Sequence, residues 1–212
     1  MEPIWLAGIM ADRRRPGLIL VASEAGERGV ALPRGEQIAE WERSRAAYNT
    51  RMMLIALAYG VKEFHNFSMD QTACGTGWSM ILAGNPATGD LARPAPVMFA
   101  LRNAADRLEE AVPAGRVRLG SDYRGYLFDR GDRRVAVLWK WNGKPVKASL
   151  PEACAGKVTV FDFMGTRQNG LTLELDEFPV YLETAAAVDE LKQWIGALEL
   201  GGTRPLDAAL EV

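Results

Sequence analysis

The stretch Leu18-Ile19-Leu20-Val21-Ala22-Ser23-Glu24-Ala25-Gly26 constrains the fold most, because a continuous apolar run ends abruptly in a carboxylate. Pro16-Gly17 precedes the run and Gly26 closes it, so it reads as a strand covered on both faces, the pattern of a parallel sheet. In parallel α/β architectures ligands bind at the carboxyl ends of the strands, while the opposite ends serve stability. Glu24 falls at that carboxyl end and is the first candidate for a working residue.

The flanking segments extend the pattern. Pro3 to Ala11 carries Ile4, Trp5, Leu6, Ile9 and Met10, which suits a short amphipathic helix, and Ala25 to Gly35 is a Gly- and Pro-containing loop. Ile38, Trp41, Tyr48, Met52, Ile55 and Tyr59 then recur at helical spacings, with Gly60 as a C-terminal stop. Val61 to Phe67 returns as a strand. Strand, loop, helix, strand is a βαβ unit with a right-handed crossover.

Beyond it, Ser68 to Pro96 reads as loop, and Val97 to Val112 as a second helix ended by Pro113-Ala114-Gly115. The grammar then changes to short strands at 124–130, 133–141, 144–150, 157–163, 171–175 and 178–183, with hairpin turns at Gly131-Asp132 and Asn142-Gly143. Strands without intervening helices imply an antiparallel sandwich or small barrel. Trp139 and Trp141 share a face with Val135 and Val137, which favours core packing over a binding platform. A last amphipathic helix, Ala186 to Leu200, precedes a frayed tail.

Composition narrows the function classes. A net charge of -2 provides no basic field for phosphate backbones, and Arg13-Arg14-Arg15 before a Pro-Gly suits a solvated loop, so no nucleic-acid partner is expected. His65 is the one histidine, which excludes a His-rich metal site. Cys74 and Cys154 fit neither a disulfide framework nor a zinc spacing. No apolar run reaches spanning length, so no membrane partner is expected, and the N-terminus lacks the features of a signal peptide.

The strand ending in Ser23-Glu24-Ala25-Gly26, the long helix, the strand Val61 to Phe67 with Asp70 just beyond, the Arg93-Pro94-Ala95-Pro96 lead into a helix, and the trailing β-domain together resemble the C-terminal half of a retaining glycoside hydrolase of the (β/α)8-barrel clan. In that clan the seventh strand delivers a nucleophilic glutamate, and Glu24 matches it. Val135 to Trp139, Val158 to Gly165 and Phe178 to Leu182 are similar to the accessory sandwich that follows such barrels. The resemblance covers about residues 4 to 184. It implies an α/β plus all-β chain: a partial (β/α)8 barrel segment at 1–113, an antiparallel β-sandwich at 114–185, and a C-terminal amphipathic helix and tail at 186–212.

Retaining hydrolysis needs a second carboxyl, about 5 to 5.5 Å from the first. The family carries it on the fourth strand, usually as Asn-Glu, and no such dipeptide occurs here. Only two barrel-type strands precede the sandwich, whereas a full barrel needs eight. The expectation is a fragment that carries the nucleophile without its acid/base and is inactive alone, requiring no metal or organic cofactor. Its partners would be a carbohydrate and either the missing barrel half or a second copy. The alternative is a non-catalytic carbohydrate-binding or structural sandwich whose α/β segment binds a partner. Site candidates are Glu24 as nucleophile, or else as a cap of the strand-to-loop turn or a salt-bridge partner of an arginine such as Arg28; His65 and Asn66 as sugar ligands, His65 otherwise packing in the core; Asp70 as a ligand or turn stabiliser; and Trp78 as a stacking platform or loop packing. Glu63, three residues short of its strand's end, is set aside as a replacement acid.

Overall fold

The opening strand, helix and strand are present in the computed structural model, which describes residues 20–25, 37–66, 82–84, 91–141, 144–201 and 209–211. Strand β1 (Leu20–Ala25) pairs in parallel with β2 (Val61–Asn66), and helix α1 (Gln37–Ala58) connects them. Gly60 takes φ of 81°, a conformation open to glycine, and its N–H bonds to the Leu57 carbonyl at 2.8 Å, closing the helix as the sequence implied.

Two expectations need correction in the next stretch. The region read as loop contains an antiparallel pair, β3 (Leu82–Gly84) and β4 (Leu91–Pro94), whose strands are too short to give a periodic signal. Helix α2 (Pro96–Leu108) starts with Pro96 in its first turn, where the missing N–H costs nothing, and stops before Val112. Glu110 has φ of 60°, which turns the chain out of the helix so that β5 (Val112–Arg118) can pair with β6 (Tyr123–Asp129). The Pro113-Ala114-Gly115 terminator is in fact an irregularity inside β5, one of the places where a strand tolerates proline.

The remaining strands are β7 (Arg134–Lys140), β8 (Val146–Ser149), β9 (Thr159–Phe161), β10 (Arg167–Gln168), β11 (Thr172–Leu175) and β12 (Val180–Thr184). After them come α3 (Val188–Gly196), β13 (Glu199–Leu200) and β14 (Ala209–Glu211). A seven-stranded sheet runs β10-β9-β12-β7-β6-β5-β14 and a three-stranded sheet runs β11-β8-β13. All their pairings are antiparallel. The helix expected to reach Leu200 is shorter, and the expected frayed tail supplies β14, which pairs with β5; β10, β13 and β14 are edge strands of two or three residues.

The seven-stranded sheet is the middle of three layers. Successive residues of a strand face opposite ways, and here both faces are dry. Tyr126, Phe128, Val135, Val137, Trp139 and Tyr181 cluster with Met53, Leu54 and Ile55 of α1, with Tyr59 just beyond it, and with Ala104 and Leu108 of α2. Leu127, Ala136, Leu138, Val160 and Leu182 cluster instead with Leu173 and Leu175 of the small sheet and Leu191, Trp194 and Ile195 of α3. Trp139 is fully buried, as its alternation predicted, and Trp141 is half-buried against the same cluster.

An ionic seam fastens α2 to the sheet. Arg107 donates to Asn103 Oδ1 at 2.8 Å and to the Glu183 carboxylate, and its guanidinium lies 3.6 Å from the Phe161 ring centre. Arg133 reaches the other Glu183 oxygen at 3.2 Å, and Asn103 donates to the Phe163 carbonyl at 3.1 Å.

Two variants test this packing. A Cβ added at Gly125 would sit 2.9 Å from Leu138 Cδ2 and 3.2 Å from the Val117 carbonyl oxygen. Gly125→Ala should cost about 1–3 kcal/mol in urea unfolding; undiminished stability would show that the strands have room to separate. The buried Tyr181 hydroxyl has no hydrogen-bond partner among the described residues. Tyr181→Phe should therefore raise stability by about 1 kcal/mol, whereas a loss would reveal an acceptor.

Candidate functional site

The backbone brings three of the five sequence-predicted residues to one place. Because β1 and β2 are parallel, their carboxyl ends lie side by side: Ala22 pairs with Phe64 and Ala25 with Asn66. Glu24 is the penultimate residue of β1, adjacent to the Ala25–Asn66 pair, with His65 one residue earlier on β2. Between those two pairs β1 advances three residues and β2 only two, so the extra residue falls at Ser23-Glu24. A second shift of the opposite sense lies between Leu20 and Val21, where β1 advances one residue and β2 two; a local irregularity of this kind, a bulge where one strand carries an extra residue, bends a strand and breaks its strict alternation. Asp70 and Trp78 lie outside the described residues.

A second feature is a cleft of about 240 Å³ at an open margin of the sandwich, where β9 and β10 approach β11 and the turn leading into β12. Its floor is apolar, made of Val160, Leu173 and Val180, all core residues. Its rim carries the side chains of Asp162, Glu174, Asp176 and Arg43. Arg43, in the second turn of α1, lies 4.5 Å from the Phe178 ring centre and 5.7 Å from that of Phe163, and the two rings are 4.7 Å apart.

The rim is held by local hydrogen bonds. Asp162 Oδ1 accepts from the Met164 and Thr166 N–H groups at 3.0 and 2.8 Å, an Asx-type arrangement that fixes the β9–β10 turn. Asp176 accepts from the Phe178 N–H at 2.7 Å. Neighbouring Glu177 fastens the same turn to α1, its carbonyl accepting from Arg51 at 2.8 Å and its carboxylate from Ser44 at 3.4 Å. Burial pushes the Asp176 carboxyl above its ordinary range; the Phe178 N–H opposes the shift, Glu174 adds to it, and Arg43 and Glu177 act in opposite directions. Three carboxylates against one guanidinium leave the rim net negative. Its chemical capacity is to accept hydrogen bonds from a small polar molecule whose apolar side rests on the floor.

Sequence reasoning missed this cleft. Asp176-Glu177-Phe178-Pro179 is legible as a turn with carboxylates beside an aromatic ring, but nothing local indicates that Arg43, more than a hundred residues earlier, covers it. Among the described residues no cluster of histidine, cysteine or carboxylate side chains could hold a metal ion, and no helix is long and apolar enough to cross a membrane.

No known protein-family model and no curated protein matches the chain. Among solved structures it is similar to a conserved exported protein from Bacteroides fragilis, at 12% identity and a TM-score of 0.55, over 79% of this chain and 39% of that one. It is also similar to a GH30 endoxylanase from Clostridium papyrosolvens, at 11% identity and a TM-score of 0.47, over 80% of this chain and 42% of that one. A third similarity is to a β-porphyranase of glycoside hydrolase family 86 from Bacteroides plebeius, at 11% identity and a TM-score of 0.46, over 80% and 35%. The chain thus spans less than half the length of each of these. At such identities the likeness to the Bacteroides fragilis protein is one of fold, a mixture of helices and antiparallel sheet.

The raised Asp176 carboxyl has a consequence for stability. A carboxyl whose folded value exceeds its unfolded value binds more protons when folded, so its charged form weakens the fold as pH rises from the ordinary carboxylate range through the folded value. Asp176→Asn should therefore melt higher than the parent at pH 7, with the gap closing as pH falls below the ordinary carboxylate range. Parallel melting curves at every pH would show that the carboxyl is fully solvated.

Proposed function

We propose that the chain is the carboxyl-terminal part of a retaining glycoside hydrolase, with Glu24 as the nucleophile that attacks a carbohydrate. In this reading residues 1–113 hold the last barrel units, 114–185 the accessory sandwich, and 186–212 its closing helix and tail, with β5 of the sandwich sheet starting at Val112 and the tail contributing β14 to it. The observation that carries the proposal is the backbone position of Glu24, at the carboxyl end of a strand in a parallel βαβ arrangement and at a bulge. Ligands gather at that end of parallel strands, and bulges recur at barrel rims and next to active sites.

The chemistry is double displacement. Glu24 attacks the anomeric carbon and forms a glycosyl ester while a carboxylic acid from outside this sequence protonates the departing oxygen. That same group then takes a proton from the water that hydrolyses the ester. Two carboxyls suffice, without metal or organic cofactor. His65, Asn66 and Asp70 hydrogen-bond the sugar hydroxyls, and Trp78 stacks on the ring. A second reading, a non-catalytic carbohydrate-binding or structural module, is favoured by one observation: among the described residues β1 and β2 pair only with each other, which leaves edges for a partner chain or a second copy.

On a panel of aryl glycosides the purified chain should give no turnover above a Glu24→Gln control. Expressed with an upstream barrel half that carries the acid/base, it should hydrolyse, and Glu24→Gln should then lower kcat by roughly three orders of magnitude or more. Turnover by the chain alone that the substitution abolishes would place an acid inside this sequence. Full activity of the substituted longer protein would remove Glu24 from the chemistry, and sugar binding without hydrolysis would favour the second reading.

A further inference from the structure

The cleft at the sandwich margin has no part in the chemistry just described, yet the topology puts it at the same end of the molecule as Glu24. In a strand–helix–strand crossover the helix runs back against the two strands, so the N-terminus of α1 lies at the end where β1 and β2 finish. Arg43 is the seventh residue of α1, about 9 Å along the helix from its start at ~1.5 Å per residue. A rim that includes Arg43 therefore lies toward the end that carries Glu24.

We propose that this cleft is an accessory carbohydrate-binding site that takes one neutral sugar ring of the chain presented to Glu24. A pyranose has one relatively apolar C–H face and an equatorial fringe of hydroxyl donors. The cleft has the complementary form, with Val160, Leu173 and Val180 beneath and the Glu174 and Asp176 carboxylates at the rim. At about 240 Å³ it has room for about eight waters at ~30 Å³ each, the scale of a single ring rather than an oligosaccharide. Its net negative rim disfavours a uronate or sulfated sugar, because like charges at close range repel. The choice of a sugar over another small amphipathic molecule rests on the function proposed above.

The test is an NMR titration of the ¹⁵N-labelled full chain with methyl xyloside, methyl glucoside and methyl galactoside, and separately with glucuronate and galacturonate. At least one neutral glycoside should produce saturable amide shifts concentrated in residues 160–180, with uronates about tenfold weaker or worse. Glu174→Gln, an exposed strand position, should weaken the neutral sugar by about tenfold, the effect of losing a charged acceptor, while leaving the remaining spectrum in place; Asp176→Asn should act in the same direction. Absence of cleft shifts with every neutral glycoside, equal binding of the uronates, or binding indifferent to both substitutions would overturn the proposal. Turnover is not part of the readout, so inactivity at Glu24 leaves a positive result standing, and a silent cleft leaves the role of Glu24 untouched.

Discussion

The fold depends on burying both faces of β7. Every residue from Val135 to Lys140 is buried, and alternate side chains enter different cores. A strand of this kind cannot belong to a simple two-layer sandwich, whose outer faces meet water. It requires a third layer, and α1 and α2 supply it. Tyr126, Trp139 and Tyr181 show the scale: each is almost completely buried on the helical side, and an aromatic side chain removes about 150–250 Å² from water, worth roughly 4–6 kcal/mol gross at ~25 cal/mol per Å². Without the helices that face would be a large exposed apolar patch. The helices and the sheet are therefore one packing unit.

Helix α1 shows how this unit shapes what is next to it. Of the apolar spacing that runs through Trp41, Tyr48, Met52, Ile55 and Tyr59, the last two are buried but Trp41, Tyr48 and Met52 are only half-buried, whereas Ala46, Ala47 and Leu54 are completely buried. Small side chains govern the contact with α2, where Ala46 clusters with Ala95, Val97 and Ala100. The helix also touches β2, β5 and β6. Because it is covered on so many sides, polar groups go inside with it: Asn49 is completely buried and bonds back to the Arg45 carbonyl at 2.9 Å. A helix enclosed this way loses the contrast between faces that sequence patterns detect.

Legibility followed the range of the interaction. Helix α1 with its Gly60 stop, the β1 and β2 strands, and β6, β7, β8, β11 and β12 are local patterns long enough to announce themselves. The short strands β3, β10, β13 and β14 have two or three residues, too few for a periodic signal, and β13 and β14 exist through pairing with distant partners, as Ala209 does with Arg118. The end of α2 was misplaced for the same reason, since Ala111 and Val112 continue the helical pattern but Val112 gains a partner in Asp129. At the site, the end of β1 was legible as the place where Glu24 emerges; the bulge beside it and the cleft around Arg43 depend on register and on contacts across the chain.

These constraints bear on how a carboxylate at position 24 could be held in place. Two parallel strands alone are marginal, and β1 and β2 have no third strand among the described residues. What fixes β2 is α1: Gly60 joins them directly, Val61 is buried at the junction, and Tyr59 is locked in the helical core with its ring under the Arg116 guanidinium at 3.7 Å. Arg116 belongs to β5, a strand of the central sheet. The line of support therefore runs from the doubly buried sheet through Arg116 and Tyr59 to α1, then to β2, and across the parallel pairing to the bulge at Glu24. On the function proposed for Glu24, reacting groups must be held to a fraction of an ångström, and the sandwich would take on that task because its central sheet shares a core with the helix that precedes β2.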